Sequence, residues 1–282
     1  MTWTTLIDAP ALRQLLASAT PPVLIDARFD LADPAAGERA YGEAHLPGAR
    51  YLHLDRDLSA AKTGRNGRHP LPQRRDFAAR VGALGIGPQT QVVAYDAQGG
   101  SYAARVWWLL RWLGHEAVAV LDGGLPAWLA AGGAVAHADP VPPSATAPYP
   151  ERASLGGSVD AEALLARLGR APLIDARAPE RFRGEVEPLD AQAGHIPGAL
   201  NRCFKDNLCA DGRFKSAAVL RAEFMPLLGE AAPGEVVHQC GSGVTACHNL
   251  LAMEHAGLAG SLLYAGSWSE WSSDPSRPTA TG

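Results

Sequence analysis

A chain that repeats several short motifs, in one order and at nearly one spacing, must be read as two copies of one fold, and these 282 residues carry such a repeat. Leu24-Ile25-Asp26-Ala27-Arg28 returns as Leu173-Ile174-Asp175-Ala176-Arg177, an offset of 149. His45-Leu46-Pro47-Gly48-Ala49 returns as His195-Ile196-Pro197-Gly198-Ala199, an offset of 150. Val92 to Asp96 aligns with Val236 to Cys240, and Gly123 to Trp128 with Gly266 to Trp271, at offsets of 144 and 143. This period is too long for a solenoid. Between the copies, five prolines fall within residues 140–150, which neither a helix nor a central strand accepts. The expected organisation is a first domain over 1–138, a stiff Pro-rich linker over 139–150 and a second domain over 151–282.

Each copy alternates short β-rich runs with amphipathic stretches. In the second, helices are expected over 161–168, 216–228 (with Ser216 as N-cap) and 245–255, and strands over 172–175, 235–239 and 261–264. Alternation of this kind implies an α/β class, each copy a mainly parallel sheet with helices on both faces. Apolar residues at 47% and charged residues at 19% exclude disorder for most of the chain. A net charge of −4 argues against a nucleic-acid partner. No apolar run approaches a membrane span, and the start has no secretory pattern, so a cytoplasmic protein, a monomer, is expected.

The four cysteines, Cys203, Cys209, Cys240 and Cys247, include no C-x-x-C pair, and no metal or cofactor is expected. Cys240 stands out because it follows a strand and opens Gly241-Ser242-Gly243-Val244-Thr245, which runs into a helix. Two glycines there let backbone N–H groups turn inward ahead of a helix N-terminus, which makes an anion cradle. The same field favours a thiolate. The first copy carries Asp96 at the matching position, so it is expected to be inactive and the second copy catalytic. Phosphoryl transfer on cysteine would want Cys-x5-Arg, but Ala246 stands six residues after Cys240. Sulfur transfer through a persulfide needs only a thiolate, N–H donors and a group to hold the sulfur donor.

With these motifs in place, the chain resembles the tandem-domain rhodanese superfamily over nearly its whole length. The loop Cys240-Gly241-Ser242-Gly243-Val244-Thr245-Ala246 is similar to that of the superfamily's mercaptopyruvate-using members. The resemblance implies a Cys240 persulfide, loaded from 3-mercaptopyruvate and discharged to a thiol acceptor such as thioredoxin, or to cyanide. It implies a proton relay of Ser242, His69 and Asp55, the last two from the first copy. It also implies that Arg181 holds the donor's carboxylate and that Gly241, Gly243, Val244 and Thr245 line the donor's site. A second arginine is implied near Glu187-Pro188-Leu189-Asp190, where Leu189 stands; Arg202 is one replacement. Members using thiosulfate carry basic residues where Gly241 and Ser242 stand. Sulfite leaves as an anion that cations stabilise, whereas pyruvate enolate needs a proton, so mercaptopyruvate is the expected donor. Thiosulfate:cyanide sulfur transfer and a non-catalytic persulfide carrier are the alternatives. His45 and His195 occur in both copies and are expected to be structural, Trp268 to wall the pocket, and Cys203, Cys209 and Cys247 to be inert.

Overall fold

The computed structural model describes residues 2–137 and 147–282, so the stretch 139–146 of the expected linker lies outside the described residues. Two five-stranded parallel sheets form. The first contains β1 (Leu6–Ile7), β2 (Val23–Asp26), β3 (Arg50–Tyr51), β4 (Val92–Tyr95) and β5 (Val118–Leu121), in the order β1-β5-β4-β2-β3. The second contains β6 (Gly157–Val159), β7 (Leu173–Asp175), β8 (Ala199–Asn201), β9 (Val237–Gln239) and β10 (Leu262–Tyr264), in the order β6-β10-β9-β7-β8. The two orders are the same when strands are counted within each copy, as the sequence repeat requires. The central strands β4 (Val92–Tyr95) and β9 (Val237–Gln239) are buried along their whole length, because helical connections cover a parallel sheet on both faces.

The chain divides into two compact units. The first holds Met1–Ser59, Pro72–Leu155 and Ala210–Phe214; the second holds Ala60–Leu71, Gly156–Cys209 and Lys215–Gly282. Each unit therefore includes a short segment from the other half of the sequence. The segment Ala60–Leu71 matters most, because it brings Arg68 and His69 into the second unit.

The repeated motifs have a shared physical role. In the first unit the Arg28 guanidinium pairs with Asp26 at 2.6 Å and donates to the carbonyl of Ala44 at 2.6 Å. In the second, Arg177 pairs with Asp175 at 2.7 Å and donates to the carbonyl of Gly194 at 2.7 Å. Each pair ties the carboxyl end of a central strand to the histidine turn. His45 then stacks on Tyr41 and bonds its carbonyl at 2.8 Å, and His195 stacks on Phe182 and bonds its carbonyl at 2.8 Å. Both histidines are structural, as expected. The predicted helices of the second copy form within one residue, and Ser216 accepts from the Val219 N–H as the N-cap of the helix Ala217–Leu228. The strand expected over 235–239 is shorter, since Pro233–Glu235 forms a 3-10 turn first.

His238, in β9, is fully buried, and burial pushes its imidazole down from 6.5 to about 3. It therefore stays neutral in the folded protein while an unfolded chain takes up the proton below about 6.5. The unfolded state binds more protons across this window, so stability should fall as pH drops from about 6.5 towards 3 and should not change on this account above it. Denaturation midpoints at neutral and mildly acid pH should show a smaller acid loss for His238→Leu than for the wild type. An equal loss would remove His238 from the acid response.

Candidate active site

Cys240 lies at the carboxyl end of β9, between β10 and β7 in the middle of the sheet, where ligands of open α/β folds bind. The thiol is buried, and the Gly243 N–H points at its sulfur at 3.1 Å. Gly243 has φ +76°, and a Cβ there would meet the Ala265 carbonyl oxygen at 2.3 Å, so only glycine closes this turn around the sulfur. The base of the loop is fixed from β10 onward: the Cys240 N–H donates to Ser267 Oγ at 3.1 Å, and the Trp268 N–H to the Cys240 carbonyl at 3.0 Å. Ser267 has a left-handed backbone, φ +54°, a local strain of the kind found at functional sites. Val244 is buried, and Thr245 stands at the N-cap position of the helix Ala246–His255 without a side-chain cap bond; the Cys247 and His248 N–H groups donate to the Val244 and Thr245 carbonyls at 3.0 and 3.1 Å and so continue the loop into the helix.

The first unit shows what such a loop does to an anion. At the end of β4 the buried Asp96 carboxylate accepts from the N–H groups of Gln98 (2.9 Å), Gly100 (2.9 Å), Tyr102 (2.8 Å) and Ala103 (3.0 Å). The cradle is filled by the protein's own carboxylate. In the second unit a sulfur atom takes that place.

Ser242 and His69 come together. Ser242 Oγ and His69 Nδ1 share a hydrogen bond of 2.8 Å, both side chains being buried. Gly67, with φ +82°, lets the segment approach the Gly266 carbonyl oxygen, which a Cβ would meet at 2.7 Å. The Arg68 N–H then donates to Ser269 Oγ at 2.9 Å, which places His69 on the loop. Arg181 is held by Glu187 through Nη2 at 2.6 and 2.9 Å. A Cβ on Gly241 would lie 3.4 Å from Arg181 Nη1, so this guanidinium borders the loop.

Asp55 belongs to the first unit, in the short helix Leu54–Asp57, where its N–H donates to His53 Nδ1 at 3.1 Å. Arg202 does not stand in for the missing arginine. It is committed to Glu223 at 2.5 Å and to Asn207, and it lies over the Phe224 ring. Trp268 is not a pocket wall: it is fully buried in the core beneath Arg177, with its indole N–H on the Gln192 carbonyl. Cys247 donates to the Gly243 carbonyl oxygen at 3.3 Å, and burial pushes the Cys203 thiol up. Arg68, Glu187, Asp190 and Ser267 were not expected at the site. The adjacency of Arg68 to His69 was the one signal available for it.

A family model described as "Rhodanese-like domain" matches residues 8–131 and 160–274, once for each copy. The chain belongs to the rhodanese-like family. It is 49% identical over 277 residues to "Probable 3-mercaptopyruvate sulfurtransferase" of Pseudomonas aeruginosa, covering 96% of each chain. It is 39% identical to human 3-mercaptopyruvate sulfurtransferase, covering 89% of this chain and 85% of that one. Thiosulfate sulfurtransferase of Cricetulus griseus is 37% identical, with 88% and 84% covered. The solved 3-mercaptopyruvate sulfurtransferase from Leishmania major superposes with a TM-score of 0.84 at 31% identity, over 95% of this chain and 74% of that one.

Proposed function

We propose that this protein is a sulfurtransferase that moves sulfur from 3-mercaptopyruvate through a Cys240 persulfide to a thiol acceptor, such as a small thiol or thioredoxin, or to cyanide. The observation that carries the donor is the 2.8 Å Ser242–His69 pair beside the nucleophile. The Cys240 thiolate attacks the donor sulfur, forming an S–S bond. The C–S bond breaks, and its electron pair stays on the departing carbon as pyruvate enolate. That carbon needs a proton, and the Ser242 hydroxyl, backed by the His69 imidazole, is the group beside the loop able to deliver it. The persulfide's terminal sulfur is an anion, which the Gly243 N–H and the loop ahead of the helix Ala246–His255 suit. An acceptor thiolate or cyanide then attacks the outer sulfur and frees the Cys240 thiolate. Asp55 is proposed as the third member of the relay on the resemblance alone. The four free cysteines support a reducing compartment such as the cytoplasm. Among the described residues no helix is long and apolar enough to cross a membrane.

A second reading, thiosulfate as donor, is favoured by the guanidiniums of Arg68 and Arg181 bordering Gly241. Side-by-side kcat/KM for the two donors separates them; the first reading expects mercaptopyruvate to be preferred. Ser242→Ala should then lower kcat with mercaptopyruvate by about a hundredfold, the usual scale of general-acid catalysis. It should slow thiosulfate far less, because sulfite leaves without taking a proton. Equal slowing of both donors would rule out proton delivery by Ser242. Continued turnover with either small donor also excludes a carrier that loads once and stalls.

A further inference from the structure

Leu189, at the position where a second arginine is implied, is aliphatic and 46% exposed. A guanidinium reaches the site by another route. A Cβ on Gly241, the residue after the nucleophile, would lie 3.1 Å from Arg68 Nη2, on the same side as Arg181 Nη1 at 3.4 Å and Nη2 at 3.7 Å. Two guanidiniums thus converge on one point beside Cys240. Each is held by its own carboxylate: Arg68 Nη1 by Asp190 at 2.7 Å, and Arg181 Nη2 by Glu187 at 2.6 Å. Asp190 also lies 3.5 Å from Arg181 and so ties the two together. The guanidiniums are mostly buried, each side chain 19% exposed, and the Nε atom of each is buried without a hydrogen-bond partner. Arginines held this way have little rotamer freedom left to lose when an anion binds. Glu187 is itself fixed, accepting from the N–H groups of Leu189 and Asp190 at 3.0 and 3.2 Å.

We propose that Arg68 is a specificity-determining residue, which with Arg181 clamps the anionic head of the sulfur donor in place of the arginine that Leu189 does not supply. The assignment rests on the sulfurtransferase reading above and names what that site recognises: an α-keto carboxylate, whose oxygens lie in a plane and match guanidinium forks. Asp190 and Glu187 are positioning residues. The same segment carries His69, so neighbouring residues supply the hold on the donor and the proton for its departing carbon. The guanidinium also stands beside Gly241, where thiosulfate-using members carry a basic side chain, so thiosulfate should depend on Arg68 as well.

Arg68→Gln and Arg68→Lys, compared with the wild type in the full chain, test this. With 3-mercaptopyruvate, Arg68→Gln should raise KM about tenfold or more, with most of the loss in KM rather than kcat. Arg68→Lys should fall between, because an ammonium keeps the charge and lacks the fork. Since Asp190 loses a partner, denaturation midpoints establish that each variant is folded, and Arg68→Lys carries the test if Arg68→Gln is not. A second readout needs no sulfur donor: the rate of Cys240 alkylation by anionic iodoacetate relative to neutral iodoacetamide. This ratio should fall severalfold in Arg68→Gln. An unchanged KM together with an unchanged ratio in a folded variant overturns the clamp, as does a loss confined to kcat. A lowered ratio in a protein that does not turn over 3-mercaptopyruvate upholds the clamp and rejects the donor.

Discussion

Replacing Cys240 with serine should abolish sulfur transfer, a loss of more than about a thousandfold, because no other group at the loop can carry the sulfur. The corresponding changes at Cys203, Cys209 and Cys247 should keep most of the activity. The contrast follows from what each sulfur touches. Cys240 sits at the end of the central strand β9 with the Gly243 N–H on its sulfur, whereas Cys247 points its thiol at a carbonyl oxygen, which disfavours a thiolate. Burial likewise holds Cys203 in the thiol form. Cys209 is exposed to solvent. Steady-state rates for the four single variants check this. Substantial activity in Cys240→Ser, or its loss in Cys247→Ser, would move the chemistry off the loop.

The second large effect is on stability, in the first unit. Asp96→Ala should destabilise the first unit by about 3–5 kcal/mol, since it leaves four loop N–H groups without their shared carboxylate. Asp96→Asn keeps the shape, loses the charge and should cost less. Denaturant unfolding checks both, read with probes placed in each unit, because two units need not unfold together. A midpoint unchanged in Asp96→Ala would mean that water satisfies the cradle as well as the carboxylate does. The comparison bears on function, because the energy Asp96 contributes measures how strongly a loop of this type holds an anion.

Asp175, Arg177, His195 and the loop from Cys240 to Thr245 could be read from the sequence because each is a local feature or one half of a repeat. The repeat implies two copies of one fold, and the two sheets do share one strand order. Arg68 could not be found that way. Its partner Asp190 is 122 residues distant, and the contact exists only because Ala60–Leu71 packs in the second unit. Ser267 was hidden for a similar reason, since only the fold brings the turn after β10 beneath the Cys240 N–H. Trp268 misled because its position after a strand suits a pocket wall and a core residue equally; the sequence pattern does not say which side of the turn an indole takes. Arg202 misled in the same way, being near the site in the chain while its guanidinium turns to Glu223.

The central claim is that sulfur rests on Cys240 between donor and acceptor. The direct measurement is to expose the wild-type protein to 3-mercaptopyruvate without an acceptor, digest it without reductant and weigh the cysteine-containing peptides. The account predicts one added sulfur atom, on the peptide carrying Cys240, which disappears when cyanide or a thiol is then supplied. Sulfur on Cys203, Cys209 or Cys247, or pyruvate released with no sulfur on the protein, would contradict it.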